Sequence, residues 1–173
     1  MGIDFTRYNR IILVGSPGGG KSWLSKKIAE ITKHPLYHLD VEFWKPNWVM
    51  TPNDEKITRL NEIISGEKWI IDGNYGGTME MRYAVADLII YLDINRFVRI
   101  WRVARRAGKK RSDLPDYLDE PNIFNKEFYK FVAWIWNYRK EGGKRVMDLH
   151  EKYPEKEFLH IKNRRQVKKL LKR

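Results

Sequence analysis

Short continuous apolar runs alternate along the chain with longer stretches whose apolar residues recur at helical spacing. Arg10-Ile11-Ile12-Leu13-Val14 has the unbroken apolar character of a buried parallel strand. A glycine cluster, Gly15 to Gly20, follows it. Ser22 to Lys33 is then predicted as a helix, with Leu24, Ile28 and Ile31 on one face. Pro35 breaks that helix, and Leu36 to Leu39 predicts a second strand that ends at Asp40. Asn53 or Asp54 caps an expected helix that runs to about Ile64 and stops at Ser65-Gly66. Lys68 to Asp72 predicts a third strand, followed by the turn-prone Asp72-Gly73-Asn74. Asp87 to Leu92 predicts a fourth strand, Arg96 to Arg106 a basic helix, and Gly108 to Pro121 a charged loop. In the aromatic-rich helix expected over Ile123 to Arg139, Phe124, Phe128, Phe131 and Ile135 form a core stripe. Glu157 to Ile161 predicts a short fifth strand and Arg164 to Leu171 a closing helix. No internal repeat or low-complexity segment interrupts this order.

Strands that alternate with helices imply an α/β fold, with a parallel sheet covered on both faces. Ligands of such folds bind beyond the carboxyl ends of the strands. Asp40, Asp72 and the glycine cluster all fall at that edge, so three separate polar signals converge on one rim.

Composition narrows the picture. The 173 residues suit a single domain, and 42% hydrophobic with 13% aromatic residues excludes a disordered chain. With no cysteine there is neither a disulfide scaffold nor a thiol nucleophile, which fits a reducing, cytoplasmic setting. The first ten residues lack a signal-peptide core, and no apolar run approaches the roughly 20 residues that cross a bilayer, so no membrane partner is expected. A net charge of +12 attracts polyanions such as nucleotide phosphates, nucleic acid or anionic lipid. Lysine-rich helix faces also serve solubility, so the charge alone selects no partner.

The strongest local signal is Gly15-Ser16-Pro17-Gly18-Gly19-Gly20-Lys21-Ser22, with Trp23 next to it. It satisfies the phosphate-loop pattern and sits between a strand and a helix, as that pattern requires. Glycines let the backbone curl until successive N–H groups point at phosphate oxygens, and the following helix adds its positive end. Lys21 is placed to reach the outer phosphates of ATP, and the Ser22 hydroxyl to ligate Mg²⁺.

With Tyr37-His38-Leu39-Asp40, Phe43-Trp44-Lys45-Pro46-Asn47-Trp48, Trp69-Ile70-Ile71-Asp72-Gly73-Asn74-Tyr75 and Trp134-Ile135-Trp136-Asn137-Tyr138-Arg139, the chain resembles the adenylate-kinase-like branch of P-loop kinases. Within it, the resemblance is closest to the FlaR-like family named "topology modulation protein". It extends over nearly the whole chain, and its tryptophan-rich pieces are the specific part. The resemblance implies a three-layer P-loop NTPase fold with a five-stranded parallel sheet in the order 2-3-1-4-5 and a small lid. It further implies that Asp72 helps hold Mg²⁺ through water, that Arg102 lies near the adenine and Arg106 near the transferring phosphate, and that Gly108 to Pro121 includes the lid. Asn163 would border the adenine. One departure stands out. Adenylate kinases continue their Asp-Gly with Phe-Pro-Arg, whose arginine grips the acceptor phosphate, whereas this chain continues Asn74-Tyr75-Gly76. Arg82 is a substitute candidate for that grip.

The remaining candidates carry two readings each. Asp40 is either a base or hydroxyl ligand for an alcohol acceptor or a turn-capping aspartate. Phe43, Trp44, Trp48 and Tyr75, with Gly73 and Asn74 beside them, either form an acceptor pocket or cover the core; Lys45 and Asn47 lie between. Arg102, Arg105 and Arg106, at i, i+3 and i+4, share a helix face suited to a triphosphate or left to solvent or nucleic acid; Arg99 precedes them. Lys109, Lys110 and Arg111 are lid residues or solvated charge. His34, His38, His150 and His160 lack metal-ligand spacing and are expected in structural or surface roles.

Taken together, residues 1–173 are expected to form one P-loop kinase-like domain, with residues 40–65 bordering the acceptor. The expected activity is transfer of the γ-phosphoryl group of Mg-ATP to a small nucleotide, nucleoside or alcohol. The alternative is a nucleic-acid-associated ATPase or regulator, for which the sequence carries no recognised binding motif. A nucleotide-binding protein without catalysis is the third reading. A monomer or weak homodimer is expected.

Overall fold

The computed structural model describes residues 2–46, 49–108 and 126–172. Its frame is a parallel sheet of β1 (Arg10–Gly15), β2 (Leu36–His38), β5 (Trp69–Asp72), β6 (Leu88–Leu92) and β7 (Glu157–Ile161), in the spatial order β2-β5-β1-β6-β7. Counting the strands of this sheet alone, the order is second, third, first, fourth, fifth, as the resemblance implies. Two further strands, β3 (Trp44–Lys45) and β4 (Val49–Met50), pair as a separate antiparallel hairpin beside it.

The unbroken apolar runs follow from burial on both faces. Along β1, Ile11 and Leu13 face one layer, packing with Leu24 and Ile28 of α1 (Lys21–Thr32) and Val167 and Leu170 of α8 (Arg164–Leu170). Ile12 and Val14 face the other, with Leu60 and Ile63 of α3 (Asn53–Ile64), Tyr83 of α4 (Met79–Val85) and Val146 of α7 (Gly142–Lys152). All four β1 side chains are fully buried. At roughly 1.5–3 kcal/mol for each large apolar side chain removed from water, this central strand anchors the sheet. A smaller cluster joins Val103 of α5 (Arg96–Arg106) to Phe128 and Ile135 of α6 (Lys126–Asn137), with Phe131 packed against it. The aromatic stripe is therefore core, apart from Phe124, which lies outside the described residues.

The structure departs from the sequence expectations in places that shape the rim. The second strand stops at His38, and Leu39–Glu42 coils into a short helix, α2, so Asp40 stands on a helical turn instead of a strand end. Leu39 is the reason: its side chain is fully buried under the sheet end, and the turn that buries it swings Asp40 to the rim. Helices α4 and α7 occupy stretches for which the sequence reading predicted no element. Most of the expected lid, including Lys109, Lys110 and Arg111, lies outside the described residues, as do Asn47 and Trp48.

Candidate active site at the carboxyl rim of the sheet

Beyond the end of β1 the backbone curls through residues 16–20, with φ at +140° for Gly15, +73° for Gly18 and +95° for Gly20. The Gly19 N–H donates to the Ser16 carbonyl at 3.1 Å, closing the turn before α1 starts at Lys21. Alternating left-handed glycines of this kind make the concave arrangement of amides that suits anions, and the α1 N-terminus adds its dipole. Lys21 Nζ lies 3.4 Å from the Ser16 carbonyl, folded over the loop. Ser22 is the next residue of α1 and half-buried, whereas Trp23 points to solvent at 53% exposure. Pro17 sits half-buried in the turn.

Helix α5 backs this loop. Arg102 donates from Nη1 to the Gly18 carbonyl at 3.1 Å. Arg99, one turn earlier, is 2% exposed, and its pKa is lowered by burial, against the pull of the Asp93 carboxylate. Arg106 is half-buried one turn further on, while Arg105 is exposed and stacks over Trp101 at 5.4 Å. The arginines that face inward are thus Arg99, Arg102 and Arg106, at i, i+3 and i+7, and Arg105 does not join them. Gly18 lies so close to α5 that a Cβ there would fall 2.5 Å from the Arg99 carbonyl oxygen, at a φ that L side chains resist. Gly18→Ala is therefore expected to push loop and helix apart. It should weaken Mg-ATP binding about tenfold or more at a stability cost of roughly 1–3 kcal/mol, read by calorimetry and thermal melting.

The third rim element is the loop after β5. Asp72 is 5% exposed; its Oδ2 meets His38 Nδ1 at 3.0 Å, while Oδ1 is buried with no hydrogen-bond partner. A buried carboxylate oxygen without a donor is costly unless a cation or its water completes it. Ser16 Oγ is buried without a partner in the same region. The unpartnered Asp72 oxygen fits the water-mediated Mg²⁺ contact that the resemblance implies for this residue. Among the described residues, no cluster of three or more His, Asp or Glu side chains forms a dedicated metal cage.

Several residues expected in an acceptor pocket build its floor. The Asn74 side-chain oxygen accepts the Gly15 N–H at 2.9 Å and the Tyr138 hydroxyl at 3.0 Å, tying the phosphate loop to the β5 loop. Gly73 is buried, and a Cβ there would meet the Leu39 side chain at 2.7 Å. Arg82 is fully buried, and its guanidinium donates to the carbonyls of Gly73 at 2.8 Å, Asn74 at 2.6 Å and Tyr75 at 3.4 Å. Burial lowers its pKa to about 10, with Asp72 acting in the opposite direction, so it remains a cation at neutral pH. A guanidinium committed to backbone carbonyls under the loop is not placed to grip an acceptor phosphate, contrary to the expectation for Arg82.

Phe43, Trp44, Tyr75 and Asp40 do come together. Trp44 Nε1 donates to the Tyr75 hydroxyl at 2.5 Å, and that hydroxyl donates to Asp40 Oδ1 at 2.8 Å. Phe43 meets the Tyr75 ring edge-on at 4.9 Å. Burial, then the Asp40 charge, pushes the Tyr75 pKa up, so the phenol remains a donor. Phe43 and Tyr75 line a cavity of about 330 Å³ with Asn53, Lys56, Ile57, Gly76, Gly77 and Thr78. Asn163 caps α8 beyond β7, its side chain accepting the Gln166 N–H at 3.0 Å.

Sequence reasoning missed His38 as the partner of Asp72, and it missed Lys56. The signal for Lys56 was available: with Leu60 and Ile63 it occupies i, i+4 and i+7, a lysine on the apolar face of α3.

No family model matches the chain. The cytidylate kinase of Thermoplasma volcanium is 24% identical over 136 aligned residues, which cover 69% of this chain and 72% of that protein. Among solved structures, shikimate kinase from Bacteroides thetaiotaomicron superposes with a TM-score of 0.56 at 19% identity, covering 95% of this chain and 94% of that one. Shikimate kinase from Acinetobacter baumannii in complex with shikimate gives a TM-score of 0.58 at 16% identity, over 96% and 93%. The likeness to these solved structures shows the fold of this chain, an α/β fold with a five-stranded parallel sheet.

Proposed function

We propose that this protein transfers the γ-phosphoryl group of Mg-ATP to the hydroxyl of a small acceptor. The observation that carries this reading is the Asp40 carboxylate, held by Tyr75 beside a lined cavity on the same rim as the phosphate loop. The loop amides and Lys21 bind the β- and γ-phosphates, and Arg102, with Arg106 further along α5, supplies positive charge where it spreads over the transferring group. Ser22, and Asp72 through water, would hold Mg²⁺, which neutralises phosphate charge when bound. Asp40 takes the proton of the acceptor hydroxyl as its oxygen bonds to the γ-phosphorus. The bond from that phosphorus to the β–γ bridging oxygen breaks, and ADP leaves. Tyr75, donating to one Asp40 oxygen, fixes the carboxylate and leaves the other oxygen for the acceptor. Asn163 borders the adenine.

A hydroxyl acceptor must lose a proton, whereas an acceptor phosphate at neutral pH is already ionised, so the two make different demands on Asp40. Here the carboxylate at the rim and the internal position of Arg82 support the hydroxyl class. Asp40→Asn is expected to lower kcat about 10²–10⁴-fold while leaving Mg-ATP affinity unchanged. The assay is transfer from γ-labelled ATP across nucleosides, nucleotides and hydroxy compounds. Unaltered kcat in that variant would instead assign an acceptor phosphate. The FlaR-like resemblance and a cytoplasmic setting accord with this reading. The nucleic-acid regulator draws support from the net charge and from the name of the resembled family, not from a binding motif.

A further inference from the structure

Helix α5 turns its charges inward and its large apolar side chains outward. Arg99, Arg102 and Arg106 face the phosphate loop, whereas Phe97 is 65% exposed, Trp101 59% and Val98 39%. Phe97 and Trp101 stand one turn apart and Val98 lies three residues before Trp101, so the three share a face. Helix α6 packs on α5 through Phe128 and Ile135 against Val103. It extends the face with Trp136, which is 43% exposed and meets the Phe97 ring edge-on at 5.5 Å. Arg96 stacks over Trp136 at 4.6 Å and Arg105 over Trp101 at 5.4 Å. A contiguous apolar row therefore lies open, flanked by two guanidinium groups. Soluble surfaces scatter large apolar residues singly, and a row of this kind marks a contact surface.

Charge decides what the row meets. Residues 94–108 carry five arginines and no Asp or Glu, within a chain of net charge +12. Two copies meeting face to face would set Arg96 and Arg105 against like charges, and α5 offers no carboxylate to offset them, which disfavours a second copy. An anionic partner is complementary. Single-stranded nucleic acid binds by stacking its bases on open ring faces. Here each indole already carries a guanidinium over it, and Val98 offers nothing to a base. A bilayer interface uses the whole row: the rings settle at headgroup level, Val98 adds apolar area, and the guanidinium groups pair with lipid phosphates. The expectation of no membrane partner rested on the lack of a spanning segment. No helix among the described residues is long and apolar enough to cross a membrane, but a contact at the surface needs none.

We propose that the outer face of α5, with Trp136 of α6, docks this protein on a membrane surface that carries anionic phospholipid. The helix lies along the interface, with Phe97, Val98 and Trp101 below the headgroups and Arg96 and Arg105 among them. Arg102 of the same helix holds the Gly18 carbonyl at 3.1 Å, so the phosphate loop stands directly behind the docked face.

Flotation of the full chain with lipid vesicles tests the assignment. Vesicles of phosphatidylcholine alone are compared with vesicles of phosphatidylcholine mixed with phosphatidylglycerol, at low and at moderate salt. The protein is expected to float with the mixed vesicles and not with the neutral ones. A basic protein also adheres to anionic lipid through its overall field, so the deciding variant keeps every charge: Phe97→Gln combined with Trp101→Gln should weaken binding about tenfold or more. Arg96→Gln combined with Arg105→Gln should weaken it about tenfold as well. Both variants replace exposed side chains, so their melting temperatures are expected to stay within a few degrees of the wild type. No binding to the mixed vesicles at low salt, or undiminished binding in the Phe97→Gln/Trp101→Gln protein, would overturn the proposal. If that variant floats unchanged but loses affinity for a single-stranded oligonucleotide, or loses a dimer detected by light scattering, the face belongs to nucleic acid or to a second copy and the lipid assignment falls.

Discussion

Replacing Lys21 with Ala is expected to reduce phosphoryl transfer about 10²–10³-fold or more while the protein keeps its fold. Lys21 opens α1, and its ammonium hangs over the glycine loop, 3.4 Å from the Ser16 carbonyl. There it adds a full positive charge to a nest of amides that carry only partial ones. Charge on the γ-phosphoryl oxygens redistributes during transfer, so a cation fixed at that point lowers the barrier more than it tightens binding of the ground state. The side chain is half-buried and belongs to neither apolar layer of the sheet, so its loss should leave the melting temperature within a few degrees. Steady-state transfer from labelled ATP, beside a thermal melt, reads both effects. Undiminished turnover would remove the loop from the chemistry.

The second large effect concerns stability. Arg82→Met should cost about 3–5 kcal/mol and lower the melting temperature by roughly 10 °C. The guanidinium is fully buried and bridges the carbonyls of Gly73, Asn74 and Tyr75, with Nε 3.5 Å from that of Thr78. Methionine fills much of the volume but leaves those acceptors without donors in a place water reaches poorly. Lysine at this position restores the charge without the planar fork, so Arg82→Lys should recover less than half of the loss. Because the same loop carries Asp72 and Tyr75, nucleotide affinity should fall along with stability. A variant that melts like the wild type would show that the loop holds itself.

The sheet was legible because burial on both faces leaves strands with unbroken apolar runs, as in Ile11 to Val14 and Leu88 to Leu92. The glycine loop was legible because its backbone demands few residues other than glycine. Helix α7 was not, since it begins at Gly142-Gly143 and reads as a turn; its buried face is Gly143, Val146 and Leu149, and the Gly143 position lies against Tyr91. Helix α4 was hidden by Arg82, which occupies a core position and breaks the apolar period shared by Met79 and Tyr83. The rim was half legible. Asp40, Asp72 and Tyr75 announced themselves by type and place, but the contacts that define their roles are long-range: Tyr75 reaches Asp40, and His38 reaches Asp72. Lys56 was overlooked because a lysine near a helix start ordinarily marks a solvated face, and only tertiary burial distinguishes this one.

Titrating the full chain with ATP and magnesium in a calorimeter, beside the Lys21→Ala protein, tests the central assignment most directly. A saturable heat of nucleotide uptake in the wild type, strongly weakened in the variant, is the predicted result. Failure of the wild type to take up nucleotide would contradict it, since the curl of residues 15–22 would then hold no triphosphate.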